Sequence, residues 1–138
     1  MTPASRNARR KSSCNPEAVL RCVIVDDSPR FLAAASGLLA RDGTIEVVGV
    51  ASSGDDAVRE VRELRPDITL VDIDLGSESG FDMVRRLHHE AGVAASRLVL
   101  ISTHAEDDYA ELIAASPAAG FLPKASLSAA AVRDMVGG

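Results

Sequence analysis

The sequence predicts a doubly wound α/β fold, a (βα)5 three-layer sandwich with helices on both faces of a parallel sheet. Two observations carry this. Between residues 18 and 138, strand-like apolar runs alternate five times with segments of helical periodicity, and regular βα alternation means parallel strands joined by right-handed crossovers. The runs also stop at isolated polar groups: Cys22-Val23-Ile24-Val25 at Asp26-Asp27, Ile68-Thr69-Leu70-Val71 at Asp72, Leu98-Val99-Leu100-Ile101 at Ser102, and Phe121-Leu122 shortly before Lys124. Strands buried on both faces read as continuous apolar runs, and the carboxyl edge of such a sheet is where ligands bind.

Each element has its own signal. The first strand is expected over about 21–26, after which Ser28 caps a helix and Pro29 suits its first turn. Phe31, Leu32, Ala35, Leu38 and Leu39 repeat along one face of that helix. A second strand runs from Ile45 to Ala51. Ser53 caps the next helix, Ala57, Val58, Val61 and Leu64 form its buried stripe, and Pro66 stops it. The third strand covers about 67–72 and is followed by a loop from Gly76 to Gly80. Phe81, Val84, Leu87 and Ala91 face inward from the third helix. A fourth strand covers about 97–102, and Tyr109, Leu112 and Ile113 mark a fourth helix. Gly120 to Leu122 is a short fifth strand. Ser126 is expected to cap the last helix, with Leu127, Ala131 and Met135 on one face.

Charge is unevenly spread. Residues 1–16 carry Arg6, Arg9, Arg10 and Lys11 without an acid, while the whole chain is at −5, so the rest carries −9. Residues 1–17 mix Ser, Asn, Pro, Arg and Lys without periodicity and read as a disordered basic arm. The acidic remainder argues against direct DNA binding by the domain, because phosphate backbones attract basic surface. No apolar stretch approaches the ~18 residues of a membrane span, and no hydrophobic signal core follows the basic start. Cys14 and Cys22 form neither a CxxC pair nor a zinc pattern. Cys22 reads as a small buried hydrophobe, and this cysteine usage suits a reducing, cytoplasmic setting.

Carboxylates gathered at one sheet edge repel one another unless a cation intervenes, and a divalent metal with a lysine is the expected remedy. That points to phosphoryl chemistry on an aspartate.

In the order Asp26-Asp27, Asp72, Ser102, Lys124, the chain resembles the receiver domain of two-component response regulators. The local text is close as well: "VIVDDSPRFL", "RPDITLVDIDL" followed by Gly80, "LVLIST" and "GFLPK". The resemblance runs from about Leu20 to Val136 and implies a flavodoxin-like sheet with strand order 2-1-3-4-5. It implies that residues 18–138 form the receiver domain, with Asp72 as phosphoacceptor. Asp27, Asp72 and the backbone carbonyl of Asp74 would hold Mg²⁺, with Mn²⁺ as a substitute, and Asp26 would bind it through a water. Lys124 would pair with the Asp72 carboxylate at rest and with a phosphoryl oxygen afterwards. Ser102 and the backbone N–H of Thr103 would bind another oxygen. Ser102 would move toward the phosphoryl group, and Phe121 would follow as the switch residue. Asp74 and His104 are candidates for tuning the rate.

Implied partners are a sensor histidine kinase or histidine phosphotransfer protein, an output protein, and a second copy through the face of the fourth helix, fifth strand and fifth helix. The resemblance makes the chain a signalling domain with intrinsic phosphorylation and dephosphorylation chemistry rather than an enzyme. It is expected to stand alone; a receiver cut from a helix-turn-helix regulator is the alternative. The text departs from the common pattern at Ala125, where many members carry proline, and at Phe121, which lacks a tyrosine hydroxyl. Neither departure removes a ligand. Asp72-Ile73-Asp74 also matches the DxD text of Mg-dependent phosphatases of the haloacid dehalogenase type. In those the DxD follows the first strand, whereas here an acidic pair comes first. Adjacent His88 and His89 point to different helix faces, against a shared metal.

Overall fold

The computed structural model of the chain describes residues 19–41, 43–75, 78–94, 97–103 and 109–137. The basic arm at 1–17, Cys14 and His104 lie outside them. The strands are β1 (Leu20–Val25), β2 (Ile45–Ala51), β3 (Ile68–Asp72), β4 (Leu98–Ser102) and β5 (Gly120–Pro123). The helices are α1 (Pro29–Ala40), α2 (Gly54–Leu64), α3 (Gly80–Glu90), α4 (Ala110–Ala115) and α5 (Ala129–Gly137). The five strands pair in parallel in the order β2-β1-β3-β4-β5, as the resemblance implies.

Alternation along the strands divides the core. Val23, Val25, Val71, Leu98, Leu100 and Phe121 face Ala57, Val58 and Val61 of α2 and Phe81, Val84 and Leu87 of α3. Their neighbours Cys22, Ile24, Ile68, Leu70, Val99, Ile101 and Leu122 face Ala35 and Leu39 of α1 and Ala129 and Val132 of α5. A period of two thus feeds two apolar layers, one on each side of the sheet. Each large aliphatic side chain sealed in this way contributes roughly 1.5–3 kcal/mol over its exposed state. With four aromatic residues in the chain, branched aliphatics do most of the filling.

The predicted caps of the first two helices are present. The Ser28 hydroxyl accepts from the Phe31 N–H at 3.3 Å and that of Ser53 from the Asp56 N–H at 3.3 Å. Three expectations are corrected. Ser126 does not cap α5: Lys124–Ser126 forms a 3-10 turn, and the hydroxyl of Ser128 accepts from the Ala131 N–H at 3.1 Å. Leu127 therefore precedes the helix, and Val132 and Ala129 are its buried contacts. Leu112 is 50% exposed, so the inward face of α4 is that of Ile113, next to Tyr109. The expected loop before α3 contains a two-stranded antiparallel pair, Asp74–Leu75 with Glu78–Ser79. Two residues a strand are too few to show a period in the sequence.

Cys22 is free and fully buried, and burial pushes its thiol up to about 12. It packs as a small hydrophobe and has no reactive thiolate at neutral pH. Among the described residues, no helix is long and apolar enough to cross a membrane.

Candidate phosphoacceptor site

Strand register assembles the site. Val25 lies level with Val71, so Asp26 and Asp72 leave the sheet side by side. Asp72 lies level with Ile101, and Ser102 with Pro123. From β3 to β4 and again from β4 to β5 the polar residue advances by one position, which brings Lys124 round to the carboxylates. The sheet order reverses between β1 and β3, and the crevice outside that reversal is where open α/β sheets take ligands.

A cavity of about 240 Å³ opens there. Its walls are Asp26, Asp27, Ser28, Asp72, Asp74, Ser102, Thr103 and Lys124, so all but two of the predicted site residues meet in one place. Phe121 is the first exception. It is 5% exposed, lies in the core layer beneath α3, and does not line the cavity. His104, the second, lies outside the described residues.

The carboxylates differ sharply in setting. Asp26 is fully buried. Its Oδ1 accepts from the Ser28 N–H at 2.8 Å, and its Oδ2 lies 2.6 Å from Lys124 Nζ. That approach is off the hydrogen-bond direction, which leaves Oδ2 buried without a hydrogen bond. Asp27 is exposed. Asp72 is 6% exposed. Its Oδ1 accepts a long hydrogen bond from the Asp74 N–H, 3.3 Å, and its Oδ2 one from Lys124 Nζ, 3.4 Å. The lysine was expected to rest on Asp72; its closer partner is Asp26. Burial raises the Asp72 carboxyl from its ordinary 3.8 to about 6, with the Asp26 charge adding to the rise and Lys124 and the Asp74 N–H opposing it. One lysine does not offset three carboxylates.

Side-chain oxygens of Asp26, Asp27 and Asp72 lie within 4.8 Å of one another. An all-oxygen donor set, a buried Asp26 oxygen that makes no hydrogen bond and a surplus of negative charge fit a hard divalent cation such as Mg²⁺. His88 and His89 take no part in this group; Nδ1 of His88 lies 2.8 Å from the Val93 carbonyl.

Gly80 packs tightly against the end of β3. Its N–H donates to the Ile73 carbonyl at 2.7 Å, and a Cβ there would collide with the Asp72 carbonyl. Only glycine lets the start of α3 fold back this tightly onto the end of β3. Phe31 is a site neighbour that helical periodicity assigned to the core: Lys124 Nζ sits 4.1 Å from its ring centroid. A basic residue in the sequence gives no sign of the ring it will reach.

The family model of the response regulator receiver domain matches residues 22–136. The response regulator GacA of Pseudomonas viridiflava is 28% identical over 109 residues, 77% of this chain and 49% of that protein. A protein-glutamate methylesterase/protein-glutamine glutaminase of Syntrophus aciditrophicus is 42% identical over 72 residues, 52% of this chain and 21% of that protein. This chain therefore spans half or less of these curated relatives. The signal receiver domain of NarL from Mycobacterium tuberculosis superposes with a TM-score of 0.76 at 29% identity, covering 88% of this chain and 98% of that one. Strand-edge acids, a lysine from the last strand and a match across nearly the whole described chain lead to one conclusion: the chain belongs to the family of response regulator receiver domains, the signalling domains of two-component systems.

Proposed function

We propose that residues 18–138 form a receiver domain that accepts a phosphoryl group on Asp72 and passes the event to a protein-interaction surface, and that residues 1–17 are an accessory basic arm. The observation that supports this best is the setting of Asp72, a carboxylate at the end of the central strand beside Asp26, Asp27 and Lys124 in an open cavity. A carboxylate oxygen of Asp72 attacks phosphorus and forms an acyl phosphate. The bond from phosphorus to the donor breaks, and the leaving group, the imidazole of a phosphohistidine or the carboxylate of a small acyl phosphate, departs with the electron pair. The acidic group and the Asp74 carbonyl would hold Mg²⁺, Asp26 through a water, and the ion supplies positive charge against the transferring oxygens when bound. Lys124 is close enough to Asp72 to follow the new phosphoryl group as a second cation. Ser102 and the Thr103 N–H, which line the same cavity, would supply neutral donors to another oxygen.

The group that gives the phosphoryl is a sensor histidine kinase or a histidine phosphotransfer protein. The surface that reads the result is that of α4, β5 and α5, which an output protein or a second copy would engage. Ser102 would move toward the phosphoryl group and Phe121 would follow into the space it leaves, within the layer that also holds the half-buried Tyr109, 6.0 Å from Phe81 ring to ring. Asp74, exposed beside the acceptor, and His104 would tune the lifetime of the phosphoryl group. The chain acts as a signalling domain and not as an enzyme on an external substrate.

Incubation with Mg²⁺ and a small acyl phosphate tests the reading. The protein is expected to gain about 80 Da, one phosphoryl group on a carboxylate, and Asp72→Asn is expected to gain nothing. Equal labelling of the variant rules out Asp72.

A further inference from the structure

Lys124 has a third neighbour besides the two carboxylates. We propose that Phe31 is a positioning residue for phosphoryl transfer, its ring face holding the Lys124 ammonium over the carboxylates. The proposal rests on Asp72 being the acceptor and names what aims the lysine at it.

The geometry closes a small circuit. Oδ1 of Asp26 accepts from the Ser28 N–H at 2.8 Å, and the Ser28 hydroxyl accepts from the Phe31 N–H at 3.3 Å. The Phe31 ring centroid lies 4.1 Å from Lys124 Nζ, which lies 2.6 Å from Oδ2 of Asp26. Residues 26–31 thus supply both a carboxylate and an aromatic wall for a lysine that arrives from β5. Pro29 and the Ser28 cap fix the first turn of α1 and hence the place of the ring.

A lysine ammonium is a compact, well-hydrated charge on a flexible stem. Left to itself it would turn to water. The ring attracts it through the negative face of the π system while excluding water from one side. A ring face also has no donor or acceptor of its own. It can hold Nζ without fixing its direction, so the lysine can pass from Asp26 and Asp72 to a phosphoryl oxygen without breaking a competing hydrogen bond. The Lys124 side chain is 14% exposed, in keeping with such shielding. The bland alternative is that Phe31 merely fills space against the apolar layer that includes Leu39 and Leu122.

Three variants separate the two. Phe31→Leu keeps apolar bulk and removes the ring face; Phe31→Tyr keeps both; Phe31→Leu combined with Lys124→Met asks whether the effect runs through the lysine. In the metal-free wild type the Lys124 ε-methylene NMR signals should be shifted upfield by the ring. The shift should survive in Phe31→Tyr and vanish in Phe31→Leu. Labelling of Asp72 by a small acyl phosphate at saturating Mg²⁺ should slow about three- to tenfold in Phe31→Leu, the scale of one shielded cation–π contact. Mg²⁺ affinity should stay the same. In the Lys124→Met background, Phe31→Leu should cost nothing further. The proposal is overturned by an unshifted ε-methylene in the wild type, or by an equal loss in the Lys124→Met background. The NMR measurement needs no phosphorylation. A wild type that fails to label at all would therefore remove Asp72 as acceptor and leave the lysine–ring contact to be judged by itself.

Discussion

Lys124 Nζ lies 2.6 Å from Oδ2 of Asp26, a residue with no exposed surface. The closest ion pair of the site is thus made by an acid one strand away from the proposed acceptor. Asp72 shares the same ammonium at 3.4 Å. The resting state holds a lysine that is already held by one carboxylate and only loosely engaged with the one that would react.

Removing that lysine should be costly to the fold. Lys124→Ala leaves Asp26 buried without its counter-charge. Fully buried pairs lose about 3–5 kcal/mol when one partner goes and exposed pairs about 0–1. The site opens to solvent on one side, so an intermediate loss of about 1–3 kcal/mol is expected in denaturant unfolding without metal. Saturating Mg²⁺ should recover part of it. Unchanged stability would show that Asp26 does not depend on Lys124.

The proposed acceptor should itself weaken the metal-free fold. Its carboxyl titrates at about 6 when folded, against about 3.9 in an unfolded chain. Between those values the folded state binds the extra proton, so stability falls as pH rises through about 6. Asp72→Asn removes that loss. In EDTA the variant should melt higher than wild type at pH 8, and the gap should shrink toward pH 4. A gap that is constant, or that widens in acid, would contradict a raised Asp72 carboxyl.

Asp27 is exposed and serves no packing role, so Asp27→Ala should fold normally. Its Mg²⁺ affinity, measured by calorimetric titration, should drop about tenfold or more, at least the cost of disturbing a ligand's support. Labelling by acyl phosphate should fall with it. Wild-type affinity in the variant would take Asp27 out of the metal site.

Gly80→Ala sets a methyl group against backbone, which cannot rotate away. Overpacking of this kind typically costs about 1–3 kcal/mol. Urea unfolding should show a loss in that range, and displacement of the end of β3 should slow labelling of Asp72 as well. Stability within error of wild type would show that α3 can move off the strand at no cost.

Much of this architecture was legible in the chain because the physics is local. Strands β1, β3 and β4 are continuous apolar runs, and Asp26, Asp72 and Ser102 interrupt them at the point where the sheet meets solvent. Ser28 and Ser53 cap helices that their apolar spacing already marked. What escaped was set by contacts distant in sequence or by turns of a few residues. The Asp74–Leu75 and Glu78–Ser79 pair is too short for a period. Ser126 and Ser128 are equally good caps by type, and the 3-10 turn after Lys124 decides between them. Phe31 satisfies the helical stripe of α1 whether it meets core or lysine, so only the fold shows that it meets both. Likewise, the residue order carries no sign that Lys124 would sit nearer Asp26 than Asp72, because strand register and side-chain reach determine it jointly.

The most direct test of Asp72 as acceptor is chemical mapping of the labelled residue. Borohydride reduces an aspartyl phosphate to homoserine, and mass spectrometric fragmentation of the peptide that contains Asp67, Asp72, Asp74 and Asp82 then reads its position. The account predicts homoserine at position 72 and at none of the other three, after treatment with acyl phosphate and Mg²⁺. Homoserine at 67, 74 or 82, or its absence from a protein that has gained phosphoryl mass, would contradict it.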